Sequence, residues 1–302
     1  MYRLDVYDSD VQCTCSGRVH QDHTPAPTLV WDRAPVVNRS YDLAQLAKLN
    51  KGVRVRLGSI AARKSAQRKY AAAVKDMLRA IRTAIASDVI TGYQNRNALV
   101  SDAMTTDALA DWFAIFNGMR DRLLQAAIGR VRTVVTGESQ QHTRRWNAVV
   151  QAQINVNLEN VVRQEALNGY LDAVALRTAG LITGIYDDTI RQVANITQQA
   201  VLNNLSVNDL RKQIQARLGI SSRRANNIAR DQVATLTSEL NHIRQEQAGV
   251  LKYEWSTSGD SRVRDLHEDF NGKIYTWAKP PRDGHPGTAI NCRCVAIGIL
   301  EI

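Results

Sequence analysis

The chain has 302 residues, 39 Lys+Arg against 29 Asp+Glu, and a hydrophobic content of 44%. That content excludes wholesale disorder, no apolar run approaches the roughly 20 residues that span a bilayer, and Met1 to Asp8 offer no apolar signal-peptide core. The net charge of +10 is local: twelve basic residues and two acidic ones (Asp42, Asp76) fall between Val36 and Ala86, and the rest of the chain balances.

Residues 1–35 read as an extended N-terminal arm. Tyr2, Leu4 and Val6 alternate with polar neighbours, and a loop-like run with Cys13, Cys15, His20, His23, Pro25 and Pro27 follows. With no export signal the four cysteines are expected in a reducing compartment, without disulfides. Cys13-x-Cys15 with His20-x-x-His23 has ligand chemistry, but its tight spacing in a polar arm is a weak metal signal.

Residues 36–205 read as a helical body, and residues 36–86 are its basic segment. No proline lies between Val36 and Lys279, which fits long helices, since an interior proline costs a helix about 3 kcal/mol. Ser40 is expected to cap a short helix through Leu43, Leu46 and Leu49, with Gly52 as its stop. Ser59 is expected to cap a longer one with a stripe of Val74, Met77, Leu78, Ile81 and Ile85. Separate helical patterns follow around Leu109–Phe116, Leu123–Val135, Trp146–Val162 and Leu181–Ile196. Trp112, Phe113, Phe116 and Trp146 are expected in the bundle core.

Residues 206–302 read as a smaller α+β module, which makes the fold class α+β but predominantly α. Ser206 caps a helix that Gly219 is expected to end, and Ser221 or Ser222 caps another running to Gly249. The period then changes to that of strands at Lys252–Thr257, Lys273–Trp277 and Val295–Leu300.

This last part carries the most specific residues. Ile228-Ala229-Arg230 lies on a helix ahead of Trp255-Ser256-Thr257; Asp260-x-Arg262-x-Arg264-x-x-His267 follows, and Cys292-Arg293-Cys294 closes the segment. In that order, over about residues 214 to 298, the pattern resembles the Mu F-like family of phage head morphogenesis, or minor head, proteins. The resemblance implies a structural protein without turnover, bound at the portal vertex inside the capsid and acting in head assembly and DNA packaging or ejection. Its implied partners are the portal protein, the major capsid protein and packaged DNA, with no membrane and no small-molecule substrate. Its implied location is the virion interior, with the host cytoplasm during assembly.

Cys292 and Cys294 are two apart on an apparent strand, so both thiols face one side and Arg293 the other. With His267 and His285 they would suit a tetrahedral zinc site; the alternative is two small buried hydrophobes beside hydrogen-bonded loop histidines. Asp260, Arg262, Arg264 and Asp265 read as a buried ion-pair network pinning a loop. A metal-assisted hydrolase of head maturation, a nuclease or protease using Asp260 and His267, is the enzymatic alternative, although no Walker loop, dinucleotide fingerprint or HExxH is present. In the basic segment Arg54, Arg56, Arg63, Lys64, Arg68 and Lys69 are the candidate contacts to nucleic acid or to an acidic partner; a solvated helix face is the bland alternative.

Overall fold

Helices dominate, as the proline-free stretch predicts. A computed structural model describes residues 40–95, 106–162 and 167–301, which belong to one unit, Val37–Ile302. The expected arm, with Cys13, Cys15, His20 and His23, lies outside the described residues. No helix among the described residues is long and apolar enough to cross a membrane.

The first turn, α1 (Leu43–Leu46), is capped by Asp42, whose Oδ1 accepts from the Ala44 and Gln45 amides at 2.9 and 3.3 Å. It is therefore not Ser40 that caps it. Strand β1 (Arg54–Arg56) follows, then helix α2 (Lys64–Ala84). Ser59 does not cap α2, because residues 57–61 are committed elsewhere. The Leu57 amide donates to Gly298 O at 2.9 Å, Ile60 O accepts from Asn241 Nδ2 at 3.0 Å, and Ala61 O accepts from Arg145 at 2.7 Å. Peptide groups satisfied in this way stay extended, so helix begins only past Arg63. A π-helical turn, Ile85–Ile90, joins α2 to α3 (Thr91–Asn95).

The patterns expected as separate helices between Leu109 and Ile154 are one helix, α4 (Thr106–Ile154), of 49 residues and about 73 Å at 1.5 Å per residue. Leu158 and Val161 lie beyond its end, and Glu159–Val162 form the single turn α5. Helix α6 (Asn168–Leu202) and helix α7 (Val207–Gln247) complete the bundle. Ser206 caps α7 as expected, its Oγ accepting from the Asp209 amide at 3.1 Å. Gly219 does not stop it. The buried positions Leu210, Ile214, Leu218, Ser221, Ala225, Ala229, Val233, Leu236 and Leu240 keep helical phase straight through the glycine. Along α2, α4, α6 and α7 these stripes meet in one core that includes Val74, Ile81, Phe116, Val131, Ile182 and Leu236. A second core joins Tyr41, Leu57, Trp146, Val150, Val250 and Leu300. Phe116 and Trp146 are buried and Phe113 is half-buried, while the Trp112 side chain is outside the described residues.

After α7 come β2 (Lys252–Ser256), α8 (Asp265–Phe270), β3 (Ile274–Thr276) and β4 (Val295–Glu301). The sheet is antiparallel, in the order β1-β4-β2-β3. Arg54 lies opposite Glu301 and Val55 opposite Leu300, while Tyr253 lies opposite Gly298 and Trp255 opposite Ala296. Alternation buries Tyr253 and Trp255 and turns Lys252 and Glu254 outward. A Cβ on Gly298 would stand 2.9 Å from Gln245 Oε1 and 3.1 Å from Leu57, so only glycine lets the sheet lie this close to α7. One strand of the basic segment is thus an edge of the C-terminal sheet, and α7 contributes to the bundle core. The boundary that the sequence suggests at residues 205 and 206 crosses shared packing.

Candidate functional site

His267 sits on α8 with its ring turned into the module, 2% exposed. Its Nδ1 lies 3.5 Å from Cys292 Sγ and 3.5 Å from Cys294 Sγ, and its Nε2 lies 2.5 Å from Asp283 Oδ2. The ligand atoms of His267, Cys292 and Cys294 all fall within 4.8 Å of one another. The cysteines stand in the extended approach to β4, not on its paired part, which starts at Val295. Both thiols turn to His267 Nδ1, while Arg293 reaches Asp260.

Backbone holds the sulfurs in place. The Gly287 amide approaches Cys292 Sγ at 3.3 Å and the Cys294 amide does so at 3.4 Å. Gly287 has φ +86°, and a Cβ there would stand 2.9 Å from Ser238 Cβ on α7, so this turn needs glycine. The two thiols act as a pair. The Cys292 thiol is brought down, chiefly by a hydrogen bond from Cys294 and then by those two amides. The Cys294 thiol is pushed up by the same bond and by burial. Thiolate character is therefore favoured at Cys292.

His285, expected as a fourth ligand, is elsewhere. Its Nδ1 is 3.0 Å from the Tyr253 hydroxyl and its ring packs against Trp277 and His242, with centroids at 4.8 and 5.1 Å. Burial, with the nearby His242, lowers its pKa to about 4. Asp283, which sequence reasoning missed, takes the outer nitrogen of His267. The only signal was a carboxylate two residues ahead of a histidine in a turn.

The charged segment is an exposed bridge, not a buried network. Asp260 binds the Arg293 guanidinium, with one contact at 2.5 Å to Oδ1, and accepts the Arg262 amide at 3.0 Å. Arg293 first, then that amide, holds the Asp260 carboxyl well below the usual range. Arg264 instead donates to Ile290 O at 2.7 Å, and Asp265 opens α8.

The basic candidates divide. Arg54 pairs with Glu301 and Arg56 with Glu254, on the outer face of the sheet. Arg63 pairs with Glu138 at 2.6 Å, and that carboxylate is 2% exposed. Lys64, Arg68 and Lys69 make no ion pair among the described residues. Lys64 and Arg68 share a face of α2 with Lys75, Arg79 and Arg82. At 100° per residue the five fall within an arc of about 60° and extend about 27 Å. Lys69 points away from that arc. The five cations border two grooves between α2 and α7. One, of about 280 Å³, is lined by Lys75, Arg79 and Arg82 with Gln215 and Ser222. The other, of about 600 Å³, is lined by Lys64 and Arg68 together with Arg230, Arg262, Arg293 and both cysteines. Among the described residues neither lining holds an aromatic side chain.

An uncharacterized protein of Haemophilus influenzae is 35% identical over 192 residues, which is 60% of this chain and 41% of that protein. The chain thus spans less than half the length of the curated relative it matches. No solved structure matches. Residues 191–297, from within α6 to within β4, match the family described as Phage Mu protein F like protein, and this supports the Mu F-like resemblance carried by the Ile228, Trp255, His267 and Cys292–Cys294 motifs.

Proposed function

We propose that the chain is a minor head protein of a tailed phage or prophage. On this reading it docks at the portal vertex inside the capsid and acts in head assembly and in DNA packaging or ejection. The family match over residues 191–297 carries the reading. The partners are the portal protein, the major capsid protein and packaged DNA, and assembly takes place in the host cytoplasm before the protein enters the virion. The cationic face of α2 is the DNA-facing surface. It offers charge without aromatic stacking, which suits contact with phosphates and not with bases. Arg54, Arg56 and Arg63 drop out of that surface because carboxylates already hold them, and Asp76 holds Arg79, which leaves Lys64, Arg68, Lys75 and Arg82 as the cations with no ion pair among the described residues.

Mass spectrometry of purified procapsids and virions tests the reading. The protein is expected in both, and to co-purify with the portal ring. Its absence from both particles would sink the proposal. A variant with Lys64, Arg68 and Arg82 changed to Glu should bind DNA more weakly, with a shallower salt dependence, and a wild-type salt slope in that variant would remove α2 from the contact.

One observation keeps a hydrolase of head maturation as a second reading: the cysteine pair borders the groove that also holds Lys64, Arg68, Arg230 and Arg262. Incubation with DNA or procapsid proteins and a divalent metal tests it. Cleavage that disappears in His267→Ala would favour the hydrolase over the structural role.

A further inference from the structure

We propose that His267, Cys292 and Cys294 bind one zinc ion, His267 through Nδ1, with Asp283 orienting the imidazole and His285 outside the site. The inference is independent of the head-protein reading, since it rests on distances within the module.

Zinc bound at about 2.3 Å to sulfur and about 2.0–2.1 Å to nitrogen requires tetrahedral edges of about 3.6 Å between a nitrogen and a sulfur. Both Nδ1-to-sulfur distances are 3.5 Å. Ordinary van der Waals packing of a histidine between two cysteines does not require both distances to agree with a coordination edge. The surroundings fit as well. A metal-bound histidine donates its other N–H to a carboxylate, which fixes the tautomer, and Asp283 Oδ2 lies 2.5 Å from Nε2. Two backbone amides point at the Cys292 sulfur. The Trp255 indole N–H, on a residue 0% exposed, has no hydrogen-bonded partner among the described residues.

The role is a staple. The ligands come from α8 and from the segment entering β4, two pieces of chain that meet beside a small core of Tyr253, Trp255, Trp277 and Ala296. Binding releases the thiol protons to solvent and leaves the imidazole neutral. Among the described residues three side chains are placed to ligate, which leaves one position of a tetrahedral site to a further ligand.

The test uses the full chain, reduced and purified without chelator. One zinc per chain is expected by elemental analysis. Zinc removal should lower the thermal midpoint, and Zn²⁺ alone should restore it. Asp283→Asn should weaken zinc binding by about 10–100-fold, and His285→Ala should keep one zinc per chain. Loss of zinc in His285→Ala would overturn the three-ligand assignment. Where Cys292→Ser does not fold, Co²⁺ added to the zinc-depleted wild-type chain still decides. A thiolate-to-cobalt charge-transfer band supports the site. Its absence, together with fewer than about half a zinc per chain, would overturn the proposal.

Discussion

Arg63 shows how one residue changes meaning between sequence and structure. It stands in a run of cations that looks free, yet its guanidinium meets Glu138 through three contacts of 2.6–3.1 Å. Arg63 is partly exposed and Glu138 is not. Arg63→Ala should therefore destabilise the fold by about 2 kcal/mol, because a buried carboxylate loses its partner. Lys64→Ala next to it should cost almost nothing. Denaturant midpoints of the two variants check the contrast. His142 is a second buried case. Its Nδ1 accepts from Arg244 Nε at 3.1 Å and its Nε2 lies 2.9 Å from Asn241 Oδ1. Burial first, then Arg244, lowers its pKa to about 3 from 6.5. Below pH 6.5 the unfolded chain takes up a proton that the native state refuses. The stability His142 contributes is thus fully present above pH 6.5 and declines as pH falls toward 3. Thermal midpoints between about pH 7 and 4 should fall more steeply in the wild type than in His142→Gln.

Among the elements, α7 shows what was legible and what was not. The Ser206 cap, the strands at 252–256 and 295–301 and the turn at Gly249 were all readable, because capping and alternation are local. The continuity of α7 was missed. Gly219 followed by Ile220 and two serines looks like a stop and a new start, but burial on both sides stays in phase, and tertiary packing outweighs the roughly 1 kcal/mol a mid-helix glycine costs. The phase itself was in the sequence, at Ile214, Leu218, Ser221 and Ala225. Gly219 has helical backbone and open space at its Cβ. Gly219→Ala should accordingly stabilise the protein by about 0.5–1 kcal/mol, seen as a raised denaturant midpoint. An unchanged or lowered midpoint would mean that the glycine serves the groove it borders. The cysteine and His267 site was legible as residue types, since spacing sets which way thiols point. Asp283 and the displacement of His285 were not, because loop conformation decides them.

At the scale of the whole molecule, the C-terminal sheet is closed by a strand made early in the chain. Residues 206–302 produced alone would lack β1 and the α2 and α6 surfaces that cover α7. That fragment should be soluble only poorly and show no cooperative thermal transition, whereas residues 37–302 should unfold in one. A sharp transition in the fragment would show that the family-matched part folds by itself.

The pairing of β1 with β4 also sets an order in time. Arg54 and its partner Glu301 are 247 residues apart. At roughly 5–20 residues per second of synthesis, β1 waits on the order of 10–50 s for its neighbour. For that interval it is an unpaired strand, and the charges of Arg54 and Arg56 on its outward face discourage pairing with another chain. The same arginines later lock onto Glu301 and Glu254, so they guard the nascent chain first and fasten the finished sheet afterwards.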